Sequence, residues 1–468
     1  MSRLVVVSNR VAPIKEGKAA AGGLAIGVYD ALRACGGIWF GWNGEVSGSA
    51  ELQQETHGNI TYATRGLSKR HYDMYYRGFA NATLWPIFHY RIDLARYRRE
   101  EYEGYCQVNR MFAEQLQPLL RPDDVIWVHD YHLIPFAEEC RRLGIRNRIG
   151  FFLHIPFPAP EILTAIPPHN ELFKTLCSYD LIGFQTEVDR QAFEDYIRRE
   201  VRGLVDSDGS MTAYGHNFRA KVYPISVMPD EIQQTASRYK GRRNLIGCNA
   251  VGEPCQTIIS VDRLDYSKGL IERFCAYDEL LQRFPEHRRN VQFVQIAPTS
   301  RSDVKTYQTL RQQLETHAGH INGRYAELDW MPLHYLNRSH ERRVLMGLFR
   351  AASVGLVTPL RDGMNLVAKE YVAAQNPENP GVLVLSRFAG AAHELSAALI
   401  VNPYDIIGMA EALDRALRMP LAERKERYES MMRAIRRADL NAWRDSFIRD
   451  LRGPSARTVR VERAIRAV

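Results

Sequence analysis

Short apolar runs rich in β-branched residues recur along this 468-residue chain, and stretches of helical patterning separate them. Runs of about four to six apolar residues are typical of strands that are buried on both faces of a parallel sheet. The predicted strands are Leu4–Ser8, Val125–Val128, Ile149–Leu153, Leu181–Gln185, Thr257–Val261, Val291–Ile296, Val354–Thr358, Val382–Ser386 and Ala398–Val401. The predicted helices are Leu24–Arg33, Val108–Leu119, Pro135–Arg142, Leu270–Arg283, Val304–His317, Arg342–Arg350 and Ala368–Ala374. Because strands and helices alternate, the sequence predicts an α/β fold with parallel sheets.

The predicted strands form two groups, and the polar segment Met228–Pro254 separates them. We therefore place a hinge in or near this segment. The expected architecture is two doubly wound, Rossmann-like domains that face each other across a cleft, because ligands of such sheets bind at the carboxyl ends of the strands. The expected domains are residues 1–235 and 236–438, followed by a last helical segment at 439–452 and a loose basic tail at 453–468.

Charge, cysteine content and hydropathy exclude several classes of protein. The formal net charge is +8, and most of the excess positive charge lies in Leu421–Val468. A protein that binds nucleic acid more often carries a basic stripe across its folded body, so we expect no nucleic-acid partner. The seven cysteines include no CxxC pair, which argues against a zinc site and a disulfide framework. The mean hydropathy is −0.33, and no run of about 18 apolar residues occurs, so we expect no membrane partner. The N-terminal apolar run Leu4–Val7 is too short for a signal peptide, so we expect a cytoplasmic protein.

The first strand-end loop carries Asn9-Arg10 and, further on, Gly22-Gly23 at the start of a predicted helix. Glycines at a helix N-terminus let a phosphate approach backbone N–H groups. The sequence has neither the G-x-G-x-x-G fingerprint nor a G-x-x-x-x-G-K-[ST] loop. A tight turn remains the alternative interpretation of Gly22-Gly23.

Two further strand ends of the first domain carry His129-Asp130 and His154. Adjacent His and Asp side chains at a strand end point in different directions, so we predict no metal site there. A carboxylate at Asp130 would suit sugar hydroxyls, and His154 lies where ligands of parallel sheets bind. Aromatic side chains such as Tyr76 and Trp85 pack on sugar rings, although burial in the core is the commoner role of such residues.

The second domain offers a cationic loop and an acidic one. Arg263 and Lys268 lie in one loop after the strand Thr257–Val261, and Arg301 follows a later strand. Together with Arg10, these cations predict an anion site, because guanidinium and ammonium groups stabilise a pyrophosphate that gains charge as it leaves.

The run Pro359–Glu370 carries a strand into a glycine turn and then into a helix. Backbone N–H groups of residues 365–367 would hold a phosphate, Asp362 a sugar ring and Glu370 ribose hydroxyls. A helix cap with an ordinary surface glutamate is the alternative.

These runs together resemble the bacterial trehalose-6-phosphate synthases, which are retaining glycosyltransferases of family 20 with the GT-B fold. The resemblance rests on ordered motifs spread over about residues 1–450, which are Val5–Arg10, Ala21–Leu24, Trp127–Leu133, Gly150–Pro158, Arg263–Gly269 and Arg361–Leu366. It implies transfer of glucose from UDP-glucose to glucose 6-phosphate, with UDP and α,α-trehalose 6-phosphate as products. It also implies no metal or other cofactor, a homo-oligomer (a dimer or a tetramer), and a last helix that crosses back to the first domain.

The resemblance also implies roles for individual residues. The acceptor, glucose 6-phosphate, would be bound by Arg10, Tyr76, Trp85 and Asp130 of the first domain together with Arg301 of the second. The donor would be bound by Gly22, Gly23, His154, Arg263, Lys268, His340, Asp362, Met364, Asn365, Leu366, Val367 and Glu370. The residues expected to act in catalysis are Asp130, His154, Arg263, Lys268 and Asp362. Near the uracil pocket, relatives carry an aromatic residue where this chain has His340.

The resemblance further implies front-face attack, in which the departing phosphate oxygen takes the acceptor proton, because the family lacks the carboxylate nucleophile that a retaining hydrolase uses. Three alternatives remain open at this point. A sibling synthase would use another phosphorylated acceptor such as glycerol 3-phosphate, although Tyr76, Trp85 and Asp130 favour a sugar ring. An inactive regulatory protein would bind sugar phosphates without turnover. A nucleic-acid binder would use the arginine-rich tail, which the near-neutral body disfavours.

Overall fold

The computed structural model describes residues 3–11, 28–29, 31–33, 35–46, 51–239, 255–299 and 304–453. The chain divides into two compact units. Met1–Pro224 together with Asn441–Val468 forms the first unit, and Ile225–Leu440 forms the second. Among the described residues, no helix combines the length and the apolar composition that crossing a membrane requires.

Among the described residues, a ten-stranded sheet forms the centre of the first unit. Its strands are β1 (Leu4–Arg10), β2 (Gly37–Val46), β3 (Gln53–His57), β4 (Ile60–Leu67), β5 (Val125–His129), β6 (Arg148–Phe152), β7 (Leu181–Phe184), β8 (Leu204–Val205), β9 (Ser210–Ala213) and β10 (His216–Val222). Their spatial order is β3-β4-β2-β1-β5-β6-β7-β10-β9-β8. The strands from β4 to β10 pair in parallel, and β3, β9 and β8 extend the sheet with antiparallel pairs. The parallel part is buried on both faces, and the side chains of residues 4–7 in β1 have no exposed area.

The helices of the first unit include one of an unusual type. The chain passes from α1 (Lys69–His71) directly into a π-helix over Tyr72–Leu84 and then into α2 (Trp85–Phe88). Further helices among the described residues of this unit are α3 (Arg99–Leu116), α4 (Phe136–Arg142), α5 (Pro160–Leu163), α6 (His169–Lys174) and α7 (Glu187–Arg199). The Ser68 hydroxyl caps α1 by accepting a hydrogen bond from the His71 N–H at 3.2 Å. π-Helical turns are rare and occur frequently at functional sites, and this one carries Tyr76.

In the part of the second unit that the structure describes, a six-stranded, fully parallel sheet forms the centre. Its strands are β11 (Gln256–Val261), β12 (Val291–Ile296), β13 (Leu333–Leu336), β14 (Val354–Val357), β15 (Val382–Ser386) and β16 (Leu399–Val401), in the order β13-β12-β11-β14-β15-β16. Its helices are α8 (Pro229–Arg238), α9 (Leu270–Arg283), α10 (Lys305–Tyr325), α11 (Arg342–Ala351), α12 (Leu366–Ala374), α13 (Ile406–Arg418) and α14 (Leu421–Arg437). Their apolar faces cover the sheet, and the core includes Phe274, Leu314 and Leu413.

The two units divide between Pro224 and Ile225, before the boundary that the sequence predicts after residue 235. The physical reason is that α8 packs on α11 and α12 and so belongs to the second unit. Residues 240–254 of the expected hinge lie outside the described residues. The last helix, α15 (Leu440–Arg452), packs in the first unit, where Phe447 stacks on Trp127 with ring centroids 5.0 Å apart.

Candidate active site

The carboxyl ends of β1, β2 and β4 place Arg10, Trp42 and Arg65 in one row, because Arg10 is in register with Trp42 and Trp42 with Arg65. The exposed Arg10 guanidinium lies 5.9 Å from the centroid of the Trp42 ring. A Cβ at Gly44, which has a φ of +91°, would lie 2.7 Å from Arg10 Nε, so a glycine there leaves room for the guanidinium. Sequence reasoning missed Trp42, although the two tryptophans in the strand that contains it were a signal.

Tyr76 lies in the middle of a cluster of rings. It stacks on Tyr72 at 5.5 Å and on His132 at 5.7 Å, and its ring centroid is 5.4 Å from that of Trp42. The π-helix supplies both tyrosines, and the turn after β5 supplies His132. Trp85, in contrast, is only 4% exposed and packs on His89 and Tyr131. The cluster therefore offers aromatic surfaces that suit the apolar faces of a sugar ring.

Asp130 has a backbone conformation that residues other than glycine rarely adopt, with a φ of +77°. Its backbone N–H donates to the Phe152 carbonyl at 2.9 Å, and its Oδ1 accepts from the His154 N–H at 3.3 Å. These bonds tie the end of β5 to the end of β6. Strained backbone held in this way occurs preferentially at functional sites, which supports the predicted importance of Asp130.

The buried His129 and the partly buried His154 form a pair next to Asp130. The distance from His129 Nδ1 to His154 Nε2 is 3.1 Å. Burial lowers the pKa of His154 to about 3, and burial followed by repulsion from His154 holds the pKa of His129 well below its usual value. Both imidazoles are therefore neutral at neutral pH, so one ring donates the shared hydrogen bond and the other accepts it.

The loop after β11 brings Lys268 to Asp362. Lys268 Nζ donates to the Asp362 carboxylate, and both side chains are nearly buried, with 11% and 13% of their area exposed. Asn365 Nδ2 also donates to Asp362 Oδ2, at 3.0 Å. Arg263 lies in the same loop and is exposed. Lys268 and Asp362 thus pair at the carboxyl edge of the second sheet, with Arg263 in the same loop.

The path of this loop depends on a glycine. Gly269 has a φ of +66°, and a Cβ there would lie 2.3 Å from the Thr358 carbonyl oxygen. The Leu360 N–H donates to the Ser267 carbonyl at 2.8 Å, which joins the loop to the segment that leads from β14 to Asp362. Only glycine fits both the left-handed conformation and the close approach.

The start of α12 supplies the remaining predicted donor residues of the second unit. Met364 and Asn365 are buried, and Asn365 precedes the helix with a φ of +71°. The N–H groups of Leu366 and Val367 belong to the first turn, which has no carbonyl partner within the helix.

Glu370 lies one turn into α12, and its carboxylate is 3.4 Å from the Arg342 guanidinium. Burial raises the pKa of Glu370, and Arg342 opposes this shift. His340 lies two residues before Arg342, and burial lowers the pKa of its imidazole, with a further contribution from Arg338.

Three predicted site residues, Gly22, Gly23 and Arg301, lie outside the described residues. In the part of the chain that the structure describes, no group of three or more His, Cys, Asp or Glu side chains is arranged to hold a metal ion. The predicted independence from metals and cofactors stays a prediction.

The sequence profile of glycosyltransferase family 20 matches residues 3–453. The trehalose-6-phosphate synthase of Cronobacter sakazakii is 56% identical over 459 residues, which cover 98% of this chain and 97% of that protein. A crystal structure of the UDP-forming α,α-trehalose-phosphate synthase from Burkholderia xenovorans in complex with glucose-6-phosphate has a TM-score of 0.92 and 59% identity, and the match covers 97% of this chain and 100% of the other. A structure from E. coli bound with UDP-2-fluoro glucose has a TM-score of 0.92 and 53% identity, with the same coverage.

These similarities extend over both sheets and over every predicted motif. They confirm the predicted fold class, an α/β GT-B fold with two Rossmann-like, parallel-sheet domains. They also confirm the resemblance that the sequence motifs indicated. The chain belongs to glycosyltransferase family 20.

Proposed function

We propose that this protein transfers glucose from UDP-glucose to glucose 6-phosphate and releases α,α-trehalose 6-phosphate and UDP. The observation that carries the proposal is the Lys268–Asp362 pair beside the first turn of α12, in a chain more than half identical to trehalose-6-phosphate synthases. A related structure holds glucose-6-phosphate and another holds UDP-2-fluoro glucose, which supports both substrates. These relatives do not favour glycerol 3-phosphate as the acceptor, or a regulatory protein without activity.

The second unit would bind the donor. Arg263 and Lys268 neutralise the diphosphate, and the N–H groups of Leu366 and Val367 donate to its oxygens. Glu370 accepts hydrogen bonds from the ribose hydroxyls. Donor binding draws Lys268 towards the diphosphate, and Asp362 then accepts hydrogen bonds from the glucose hydroxyls. Asn365 keeps the Asp362 carboxylate oriented during this exchange.

The remaining donor roles are a proposal from the sequence motifs. Met364 and His340 would line the nucleotide site, and Gly22 and Gly23 would approach the donor phosphates.

The first unit would bind the acceptor. Arg10 pairs with the phosphate of glucose 6-phosphate, and Tyr76 and Trp42 present ring faces to the sugar. Asp130 accepts hydrogen bonds from acceptor hydroxyls, and neutral His154 contacts the transferred glucose. Trp85 supports the aromatic cluster from within the core, and Arg301 is proposed from the sequence motif as a second phosphate ligand.

The proposed reaction keeps the configuration at the transferred carbon. The anomeric hydroxyl of glucose 6-phosphate attacks C1 of the donor glucose from the face on which UDP leaves. The bond between C1 and the phosphate oxygen breaks, a new C1–O bond forms, and the hydroxyl proton passes to the departing phosphate oxygen. Arg263 and Lys268 stabilise the charge that develops on UDP, so we propose that no metal ion is needed.

A product assay tests this proposal directly. UDP release would be measured in the presence of EDTA with UDP-, ADP- or GDP-glucose, each combined with glucose 6-phosphate, glycerol 3-phosphate or no acceptor. We expect release with UDP-glucose and glucose 6-phosphate, and trehalose 6-phosphate as the product. UDP release with glycerol 3-phosphate and not with glucose 6-phosphate would overturn the acceptor assignment. UDP release only after a metal ion is added would overturn the metal-free mechanism. No UDP release in any combination would overturn the proposed activity.

The cytoplasmic location, the homo-oligomeric state and the absence of nucleic-acid and membrane partners stay predictions. Sedimentation of the purified protein would distinguish a monomer from a dimer or a tetramer.

A further inference from the structure

We propose that Arg273 is a positioning residue that holds Lys268 in the geometry needed to stabilise the departing diphosphate. The inference rests on the proposed function, because it assigns a role relative to Lys268. Arg273 lies in the first turn of α9, which begins at Leu270, and none of its side-chain area is exposed. A residue so completely buried cannot itself touch the substrate, so it acts through its neighbours.

The Arg273 guanidinium contacts three segments that meet at the carboxyl edge of the second sheet. Its Nη2 donates to the Lys268 carbonyl oxygen at 2.7 Å. Its Nε donates to the Thr358 hydroxyl at 3.0 Å, just after β14. Its Nη1 donates to the Ser260 hydroxyl and lies 2.8 Å from Asp262 Oδ2, at the end of β11. One side chain therefore fixes the position of the loop relative to both strand ends.

This arrangement requires an arginine in particular. The guanidinium is planar and presents its N–H groups in a rigid fork, so it reaches acceptors in several directions at once. A lysine would keep the charge near Asp262, but its ammonium group could not reach the Lys268 carbonyl and the Thr358 hydroxyl together. The backbone N–H of Arg273 also donates to the Gly269 carbonyl at 3.1 Å, so the backbone and the side chain of Arg273 both hold the same loop.

Stability alone does not account for a charged group in this position. Well-packed apolar residues often replace a buried ion pair with no loss of stability. The contact with the Lys268 carbonyl gives the arginine a second effect, because that residue presents its Nζ to Asp362 on the other side of the loop. Before any anion binds, the charge of Arg273 is balanced by Asp262 and the charge of Lys268 by Asp362. A diphosphate that enters the site meets a Lys268 whose backbone is already fixed.

The principal test replaces Arg273 by lysine. For Arg273→Lys we expect a fall in kcat of about 10- to 100-fold, because small displacements of a catalytic group cost rate factors of this size. The KM for glucose 6-phosphate should not change, since the change lies on the donor side. The preference for UDP over UMP, measured by calorimetry, should shrink, because Lys268 would contact the phosphate that UMP lacks. Wild-type kcat together with an unchanged preference for UDP would overturn the inference.

Arg141 provides a matched control in the first unit. Its guanidinium pairs with Asp180 at 2.9 Å and donates to the carbonyls of Ile145 and Asn147, each at 2.9 Å. Arg141→Lys thus removes a similar set of bonds at the amino edge of the other sheet. We expect it to lower the melting temperature without changing kcat or the preference for UDP. An equal loss of kcat in both variants would show a general structural effect and would overturn the positioning role.

Thr358→Val keeps the inference testable if Arg273→Lys does not fold. Thr358 is fully buried, and valine has nearly the same shape but lacks the hydroxyl that accepts from Arg273 Nε. We expect a fall in kcat of about fivefold, in line with the loss of one hydrogen bond, again without a change in the acceptor KM. No change in kcat in this folded variant would contradict the inference.

Failure of the proposed function has a different signature. A wild-type protein that forms no product from any donor and acceptor would overturn the function. The inference about Arg273 would then be decided by the UDP and UMP affinities of wild type and variant alone, which need no turnover.

Discussion

In the first unit the parallel strands end among aromatic rings and neutral imidazoles, whereas in the second unit they end among ion pairs. Trp42, Tyr72, Tyr76 and His132 share ring contacts at the first edge. Lys268–Asp362, Arg273–Asp262 and Arg342–Glu370 occupy the second. Both edges belong to doubly wound sheets, so the fold does not dictate this difference.

The difference follows from the ligands that we propose for each edge. A sugar ring is recognised through its apolar faces and neutral hydroxyls, which ring stacks and uncharged histidines suit. A leaving diphosphate gains charge, so its site requires cations that are held before the reaction begins. We therefore expect changes in the first unit to affect mainly the acceptor, and changes in the second to affect mainly the donor and the rate.

The largest effect is expected for Lys268→Ala. Loss of the cation at the leaving group should reduce kcat by about 100- to 1000-fold, the usual cost of removing one group that stabilises developing charge. Turnover would be measured at saturating UDP-glucose, with Lys268→Arg as the variant that keeps the charge. Turnover near the wild-type value in Lys268→Ala would show that Lys268 is not a catalytic cation.

A smaller effect, on stability, is expected for Lys369→Met. The Lys369 side chain is fully buried, and its Nζ donates to the Ile225 carbonyl at 2.8 Å and to Glu394 Oε2 at 2.6 Å. Removing one partner of a buried ion pair should lower the free energy of unfolding by about 3 kcal/mol. Denaturant unfolding measures this loss, and Lys369→Met combined with Glu394→Leu should recover part of it. If the single variant is as stable as wild type, the Lys369–Glu394 ion pair does not stabilise the second unit.

Tyr76→Leu should raise the KM for glucose 6-phosphate by about fivefold, because an aromatic contact contributes roughly 1 kcal/mol beyond its buried area. The affinity for UDP should stay the same, since Tyr76 belongs to the first unit. Tyr404→Leu is a suitable control, because Tyr404 is 62% exposed in the second unit. A change in UDP affinity with no change in acceptor KM would reverse the assignment of the two edges.

An effect on the pH dependence of stability is expected for the neutral histidines. Their pKa values are lowered by folding, so below pH 6.5 the unfolded chain binds protons that the folded protein does not. This contribution to stability is present above the unfolded pKa of about 6.5 and is lost as the pH falls towards the folded pKa, by up to about 1.4 kcal/mol per pH unit for each histidine. The free energy of unfolding of His129→Gln, measured from pH 7.5 to 5, should fall less steeply than that of wild type. Parallel curves for the two proteins would mean that His129 is not held neutral.

Sequence patterns located the parallel strands well, because a strand buried on both faces is a continuous apolar run. All nine predicted runs fall on strands, and Val291–Ile296 and Val382–Ser386 match their observed bounds. Among the parallel strands the pattern missed β2, β4, β10 and β13, because glycine or polar residues interrupt the apolar run in each. The predicted helix Leu24–Arg33 lies largely outside the described residues.

The positions of the site residues were predictable, but the groups that hold them were not. Lys268, Asp362 and Asp130 follow strands, so their positions come from the rule that ligands bind at carboxyl ends. Arg273 and Lys369 each lie within a predicted helix as ordinary cations, and only packing against the sheet shows that they are buried. Hydrogen bonding to the fifth residue along the chain, as in the π-helix, leaves no periodic apolar pattern that a single sequence reveals.

The π-helix over Tyr72–Leu84 has a consequence for how this chain tolerates insertions and deletions. A wide helix carries extra residues in each turn, so deletion of one residue would let the turn at that point return to ordinary α-helical hydrogen bonding. The same deletion would rotate Tyr76 away from Trp42 and His132. We expect such a deletion to yield a well-expressed protein that has lost its acceptor site, so the length of this segment is constrained by activity rather than by folding.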